Sequence, residues 1–89
     1  MEYIYRLHAI ERMFQRDISE LAVEKAIKEG TVIESYLDDK PYPSYLALIF
    51  IEEKPLHVVY AKDSHTNVVI TAYYPNPNKW DNKFKVRKV

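Results

Sequence analysis

The chain has 89 residues and a mass of 10.6 kDa, and its 13 basic and 13 acidic residues give a formal net charge of zero. That length allows one small domain. With no cysteine it can form neither disulfides nor thiolate metal sites. A hydrophobic content of 47%, with eight Tyr, three Phe and one Trp, excludes a disordered chain. The longest apolar run, Tyr45 to Ile51, is far too short to span a bilayer. Glu2, Arg6, Glu11 and Arg12 make the first dozen residues unlike a secretory signal. A soluble cytoplasmic domain with no membrane partner is expected.

The first helix is predicted over about 5–16, where Leu7, Ile10, Met13 and Phe14 recur at spacings of three and four. These residues are expected to face inward, leaving His8, Glu11, Arg12, Gln15 and Arg16 outside. Asp17-Ile18-Ser19 breaks the pattern. Ser19 is a good N-cap for a second helix over about 20–29, which turns Ala22, Val23, Ala26 and Ile27 inward. Leu21 falls on its polar side. Gly30, the only glycine, is expected to end that helix in a left-handed conformation.

Strands follow at about 31–37, 45–51, 56–61 and 67–74. Turns at Asp38–Pro43, Glu52–Pro55 and Lys62–His65 separate them, and Pro75 and Pro77 end the last. Short turns between neighbours imply an antiparallel meander. The predicted fold is α+β, with two N-terminal helices packed on one face of a four-stranded antiparallel meander sheet.

The charge is unevenly placed. Residues 79–89 carry Lys79, Lys83, Lys85, Arg87 and Lys88 against Asp81, a net of +4 that the rest of the chain balances. A basic tail on an acidic body has the charge pattern of a nucleic-acid arm, or of a frayed, solvated terminus.

His8, Arg12 and Arg16 are spaced i, i+4, i+8, which forms one row along the first helix beside Glu11. Arginine holds phosphate oxygens bidentately and histidine moves protons near neutrality, so such a row suits a phosphodiester; it also suits a plain solvated face. His57 interrupts an apolar strand, Leu56 to Ala61, as a catalytic or a buried sheet histidine would. Thr71 and Tyr73 share one face of the last strand, with Val69. Whether His57 joins them depends on hairpin register, because a slip of one residue changes its face. No metal is expected: His8 and Glu11 lack a second ligand pair, and Asp38-Asp39 lacks the calcium-loop pattern. No cofactor motif is present.

Several short motifs follow one another along the chain. They are His8-Ala9-x-Glu11-Arg12-Met13 with Arg16, Ile18-Ser19, Gly30, Ile33-Glu34-x-Tyr36 and Pro41-Tyr42-Pro43. Pro55-Leu56-His57-Val58-Val59, Ile70-Thr71-x-Tyr73 and Pro77 with Trp80 complete the set. Over about residues 6–81 the chain resembles domain-of-unknown-function family 4258, which is grouped with small RelE- and BrnT-like ribonuclease toxins. The resemblance implies a RelE-like fold and a toxin-like, metal-independent RNA endonuclease, cleaving by 2′-hydroxyl attack on the adjacent phosphate. On that expectation His8 and His57 are the general base and acid, one each, and Arg12 is catalytic beside them. Arg16, Glu11, Tyr36, Thr71 and Tyr73 would bind substrate. RNA and an antitoxin-like protein are the partners it implies. The alternative is a non-catalytic domain that binds a protein partner or nucleic acid.

Overall fold

In the computed structural model, which describes residues 2–88, the chain begins with a strand rather than a helix. β1 (Glu2–Tyr5) places the half-buried Tyr3 and Tyr5 on one side and the exposed Ile4 on the other, the alternation of a half-covered strand. α1 (Leu7–Arg16), α2 (Glu20–Glu29), β2 (Thr31–Tyr36), β3 (Ser44–Ile51), β4 (Lys54–Asp63) and β5 (Thr66–Tyr73) follow. The sheet order is β1-β5-β4-β3-β2. The predicted meander β2 to β5 is antiparallel throughout, but β1 joins its β5 edge in parallel, Glu2 against Thr66 through Tyr5 against Val69. The sheet is therefore five-stranded and mixed, not four-stranded and antiparallel.

α1 starts two residues later than predicted because Tyr5 is still strand. It ends at Asp17, whose φ of 56° is left-handed and whose amide returns to Met13 and Phe14 carbonyls. The left-handed terminus expected at Gly30 thus occurs one helix earlier, at a residue type that tolerates it. Gly30 itself is extended, with φ −73° and ψ 177°. It must be glycine for a different reason. A Cβ there would lie 2.4 Å from the Ala26 carbonyl oxygen and 2.7 Å from that of Leu48, both backbone atoms. Ser19 caps α2 as predicted, its hydroxyl accepting from the Ala22 amide at 3.1 Å.

The helices lie on one face, α1 over β5 and α2 over β3 and β4. Ala9, Met13, Ile18, Val23 and Ala26 meet Ala47, Leu56, Val58, Tyr60, Val69 and Ala72 in one core, each large apolar side chain contributing roughly 1.5–3 kcal/mol. Of the expected inward row of α1 only Met13 is buried, and His8, Glu11, Arg12 and Gln15 are exposed as expected. Ala9 and Met13 are buried, whereas Leu7, Ile10 and Phe14 are 69%, 50% and 88% exposed. The small Ala9 lets the helix approach β5 closely, and the apolar row is left facing solvent.

The other face of the sheet carries Glu34, Leu46, Leu48, His57, Val59, Thr71 and Tyr73, which oppose one another in register: Glu34 with Leu46, Leu46 with Val59, Leu48 with His57, Val59 with Thr71, His57 with Tyr73. A register shift between Val59 and Tyr60 turns Val69 to the helix face, opposite Tyr60. Val69 therefore does not share a face with Thr71 and Tyr73. The β3–β4 turn holds Glu52 and Glu53 at φ 52° and 68°, the primed-turn geometry that matches strand twist.

The basic tail does not fray. Residues 75–88 fold back over this second face, tied by a bridge between Trp80 and Arg87. Trp80 is only 3% exposed. One carboxylate oxygen of Asp81 accepts from the amides of Lys83, Lys85 and Val86 and organises the turn. Phe84 sets its ring edge-on to Phe50. Among the described residues no helix is long and apolar enough to cross a membrane.

Candidate functional site

β1 covers only the first half of β5, from Thr66 to Val69. Past that point Arg16, at the end of α1, reaches the uncovered edge and donates to the Ala72 carbonyl at 2.9 Å. There its guanidinium meets the folded-back tail. Arg16, Tyr73, Tyr74, Asn76, Lys79, Trp80 and Arg87 line a cleft of about 320 Å³. Three cations and no carboxylate form its wall. A larger hollow of about 510 Å³ runs beside α2, but Glu24, Lys25, Lys28 and Glu29 balance there.

His57 lies behind the cleft, fully buried. Its Nε2 is 2.8 Å from the Phe84 carbonyl, which can only accept, so the proton sits on Nε2. Nδ1 then accepts from the Tyr73 hydroxyl at 3.2 Å. The rings of Trp80 and Tyr73 stand edge-on to the imidazole, with centroids 4.5 and 5.3 Å away. Burial pushes the His57 pKa down and the Arg87 charge adds to this, against the Phe84 carbonyl and Glu34, which favours the neutral imidazole. Burial also pushes the Tyr73 phenol up, with Arg87 partly opposing.

Glu34 closes the cluster from β2. It accepts from the Tyr36 hydroxyl and receives Arg87 bidentately, at 3.1 and 3.3 Å. Burial works against its carboxylate, but the Tyr36 and Arg87 hydrogen bonds outweigh this and its pKa falls below the ordinary value. Tyr36 is pushed up, first by burial and then by Glu34. The Arg87 guanidinium also stacks on Trp80, 4.6 Å from the ring centroid.

The structure gathers Arg16, Tyr36, His57, Thr71 and Tyr73 of the predicted residues at or behind one face of the sheet. It does not bring His8 to them. His8, Glu11 and Arg12 are exposed on α1, in the layer covering the opposite face, so His8 and His57 do not converge. The sequence pattern alone does not mark Glu34, Lys79, Trp80 or Arg87 as site residues. The alternation in Glu34-x-Tyr36 and the tail's cations are the signals the sequence carries; the fold-back that unites them rests on tertiary contacts of Trp80, Phe84 and Arg87. Among the described residues no group of three or more His, Asp or Glu side chains is placed to hold a metal ion.

No curated protein and no solved structure matches the chain. A family model, described as "Domain of unknown function (DUF4258)", matches residues 5–74. That span takes in Arg16, Glu34, His57 and Tyr73, and stops short of Lys79, Trp80 and Arg87. The chain belongs to the DUF4258 family.

Proposed function

We propose that the cleft binds the phosphodiester backbone of RNA and that the domain is a toxin-like RNA endonuclease working without a metal ion. The observation that carries this reading is the convergence of Arg16, Lys79 and Arg87 with Tyr73 in one cleft free of carboxylates. Guanidinium groups grip phosphate oxygens bidentately and stabilise charge that builds on them. The exposed Lys83, Lys85 and Lys88 extend the grip along the strand.

In the reaction the ribose 2′-oxygen attacks the adjacent phosphorus and the bond to the 5′-oxygen breaks, leaving a 2′,3′-cyclic phosphate and a 5′-hydroxyl. The proton from the 2′-oxygen passes to the Tyr73 oxygen as the phenol's own proton moves to His57 Nδ1. Water returns a proton to the 5′-oxygen, and the pair resets through solvent. His57 acts through Tyr73, and His8 takes no part. Arg16, Lys79 and Arg87 hold the pentavalent phosphorus.

A test is incubation of purified protein with end-labelled RNA, with and without EDTA. Cleavage that survives EDTA and leaves cyclic phosphate ends is expected. Intact RNA, with no salt-sensitive binding, overturns the reading.

One observation favours the second reading, docking of a protein partner. Leu7, Ile10 and Phe14 form an exposed apolar stripe on α1, the kind of patch that marks interaction surfaces.

A further inference from the structure

The segment that covers His57 is held by few contacts. Between Lys79 and Lys88 it has no helix and no strand, only the bridge of Trp80 to Arg87 and the turn organised by Asp81. Its links to the sheet are the Phe84 carbonyl on His57, the Phe84 ring on Phe50, the buried Trp80 indole, and the Arg87 pair with Glu34. Segments with so few buried contacts open at a fraction of the global unfolding free energy. Five of its ten residues are cationic, Lys79, Lys83, Lys85, Arg87 and Lys88.

Arg87 stands in two places at once. It belongs to the wall of the cleft, and it is bound to Glu34 on β2, the far edge strand from β5. A phosphate entering the cleft offers Arg87 a second bidentate acceptor, so ligand and Glu34 compete for one guanidinium. While Glu34 holds it, Trp80 and the Phe84 carbonyl stay over His57 and no solvent reaches the imidazole.

We infer that residues 79–88 form a strap latched by the Glu34–Arg87 ion pair, and that an anion which takes Arg87 releases the strap and uncovers His57 beside Tyr73. The inference rests on the reading of the cleft as a site for RNA phosphates. It makes the occupied cleft, rather than the empty one, the state in which His57 is open to the substrate. The shift is modest, because a latch with a side-chain exposure of 59% on Arg87 and 24% on Glu34 is a surface ion pair, whose loss moves an equilibrium by up to about fivefold.

Trp80 is the only tryptophan and is the strap's own buried side chain, packed against His57, so acrylamide quenching of its fluorescence reads the strap directly. Glu34→Gln and Arg87→Gln should each raise quenching about two- to fivefold over the wild type, with unchanged far-ultraviolet circular dichroism. The charge-reversed pair Glu34→Arg with Arg87→Glu should restore shielding. Asp38→Asn removes the same charge away from the latch and should change nothing. Two single variants as shielded as the wild type overturn the latch. Fluorescence anisotropy with a labelled decauridylate then tests the release. Glu34→Gln should bind about two- to fivefold more tightly than both the wild type and Asp38→Asn, since the strap no longer has to be freed. An unlatched Glu34→Gln that binds no more tightly overturns the release by ligand. If neither protein binds decauridylate, the RNA reading fails, and the quenching data still decide the latch.

Discussion

Tyr73 and His57 stand directly opposite each other on β5 and β4, and the Tyr73 hydroxyl donates to His57 Nδ1 at 3.2 Å. The Phe84 carbonyl on the other nitrogen fixes the tautomer. Tyr73→Phe leaves a buried imidazole nitrogen without its donor, which costs about 1–3 kcal/mol. It should also lower RNA cleavage about 10²–10⁴-fold at temperatures where the variant stays folded. His8→Ala should leave both melting temperature and cleavage near wild type, since His8 is exposed on the far layer. A His8→Ala protein that is folded and inactive would return the chemistry to α1.

His57 also sets a pH dependence. Its pKa in the folded protein is pushed below the ordinary 6.5, first by burial. The unfolded chain therefore takes up a proton at a higher pH than the native one. Stability is full above about pH 6.5 and falls as the pH drops below it. Glu34 and Asp81, whose pKa values are also lowered, lose their contributions in a more acid range, so the decline between pH 7.5 and 5.5 reports His57. Urea melts of His57→Gln, compared with wild type across that interval, should show the slope flattened.

The narrow buried stripe of α1 gives a sharp contrast between neighbours. Met13 is 5% exposed and Phe14 is 88% exposed. Met13→Ala should cost about 2–5 kcal/mol, while Phe14→Ala should stay within about 0.5 kcal/mol of wild type. Equal losses at the two sites would mean that the helix is rotated from the position described.

Gly30→Ala tests close approach rather than backbone handedness. The added methyl meets two carbonyl oxygens that cannot move without shifting α2 against β3. A loss of about 1–3 kcal/mol is expected. Because Gly30 is extended, Gly30→Asn, which would rescue a left-handed site, should be no better than Gly30→Ala.

The cleft cations predict a salt dependence. Arg16→Gln and Lys79→Gln should each flatten the slope of log K against log salt by about 0.7, the value for one phosphate contact on a single strand. An unchanged slope would place the phosphates elsewhere. Arg16→Gln should also cost a little stability, because it caps the Ala72 carbonyl.

Local signals in the chain were legible where one residue type has one use. Ser19 caps α2, the glycine marks where α2 gives way to β2, and the turns between β2 and β5 fall where prolines and charged pairs interrupt apolar runs. Three things were not legible. β1 has four residues and runs straight into α1, so its aromatic alternation is absorbed by the helical pattern. The orientation of α1 misled because an amphipathic pattern shows that a helix has two faces, not which one the sheet receives. The face of His57 depended on two opposing one-residue effects. Ala61 pairs with Val68, which alone would set His57 opposite Ala72, and the shift at Val59/Tyr60 returns His57, Thr71 and Tyr73 to a common side.

The parallel pairing of β1 with β5 also orders events during synthesis. Glu2 to Tyr5 leave the ribosome 64 residues ahead of their partners, Thr66 to Val69. At about 5–20 residues per second, β1 waits roughly 3–13 s for the strand it will pair with. The β3–β4–β5 hairpins need only near neighbours and form as soon as they emerge. Nascent-chain length therefore decides when the N-terminal strand is protected, and until residue 69 is made its tyrosines are open to chaperones and to neighbouring chains.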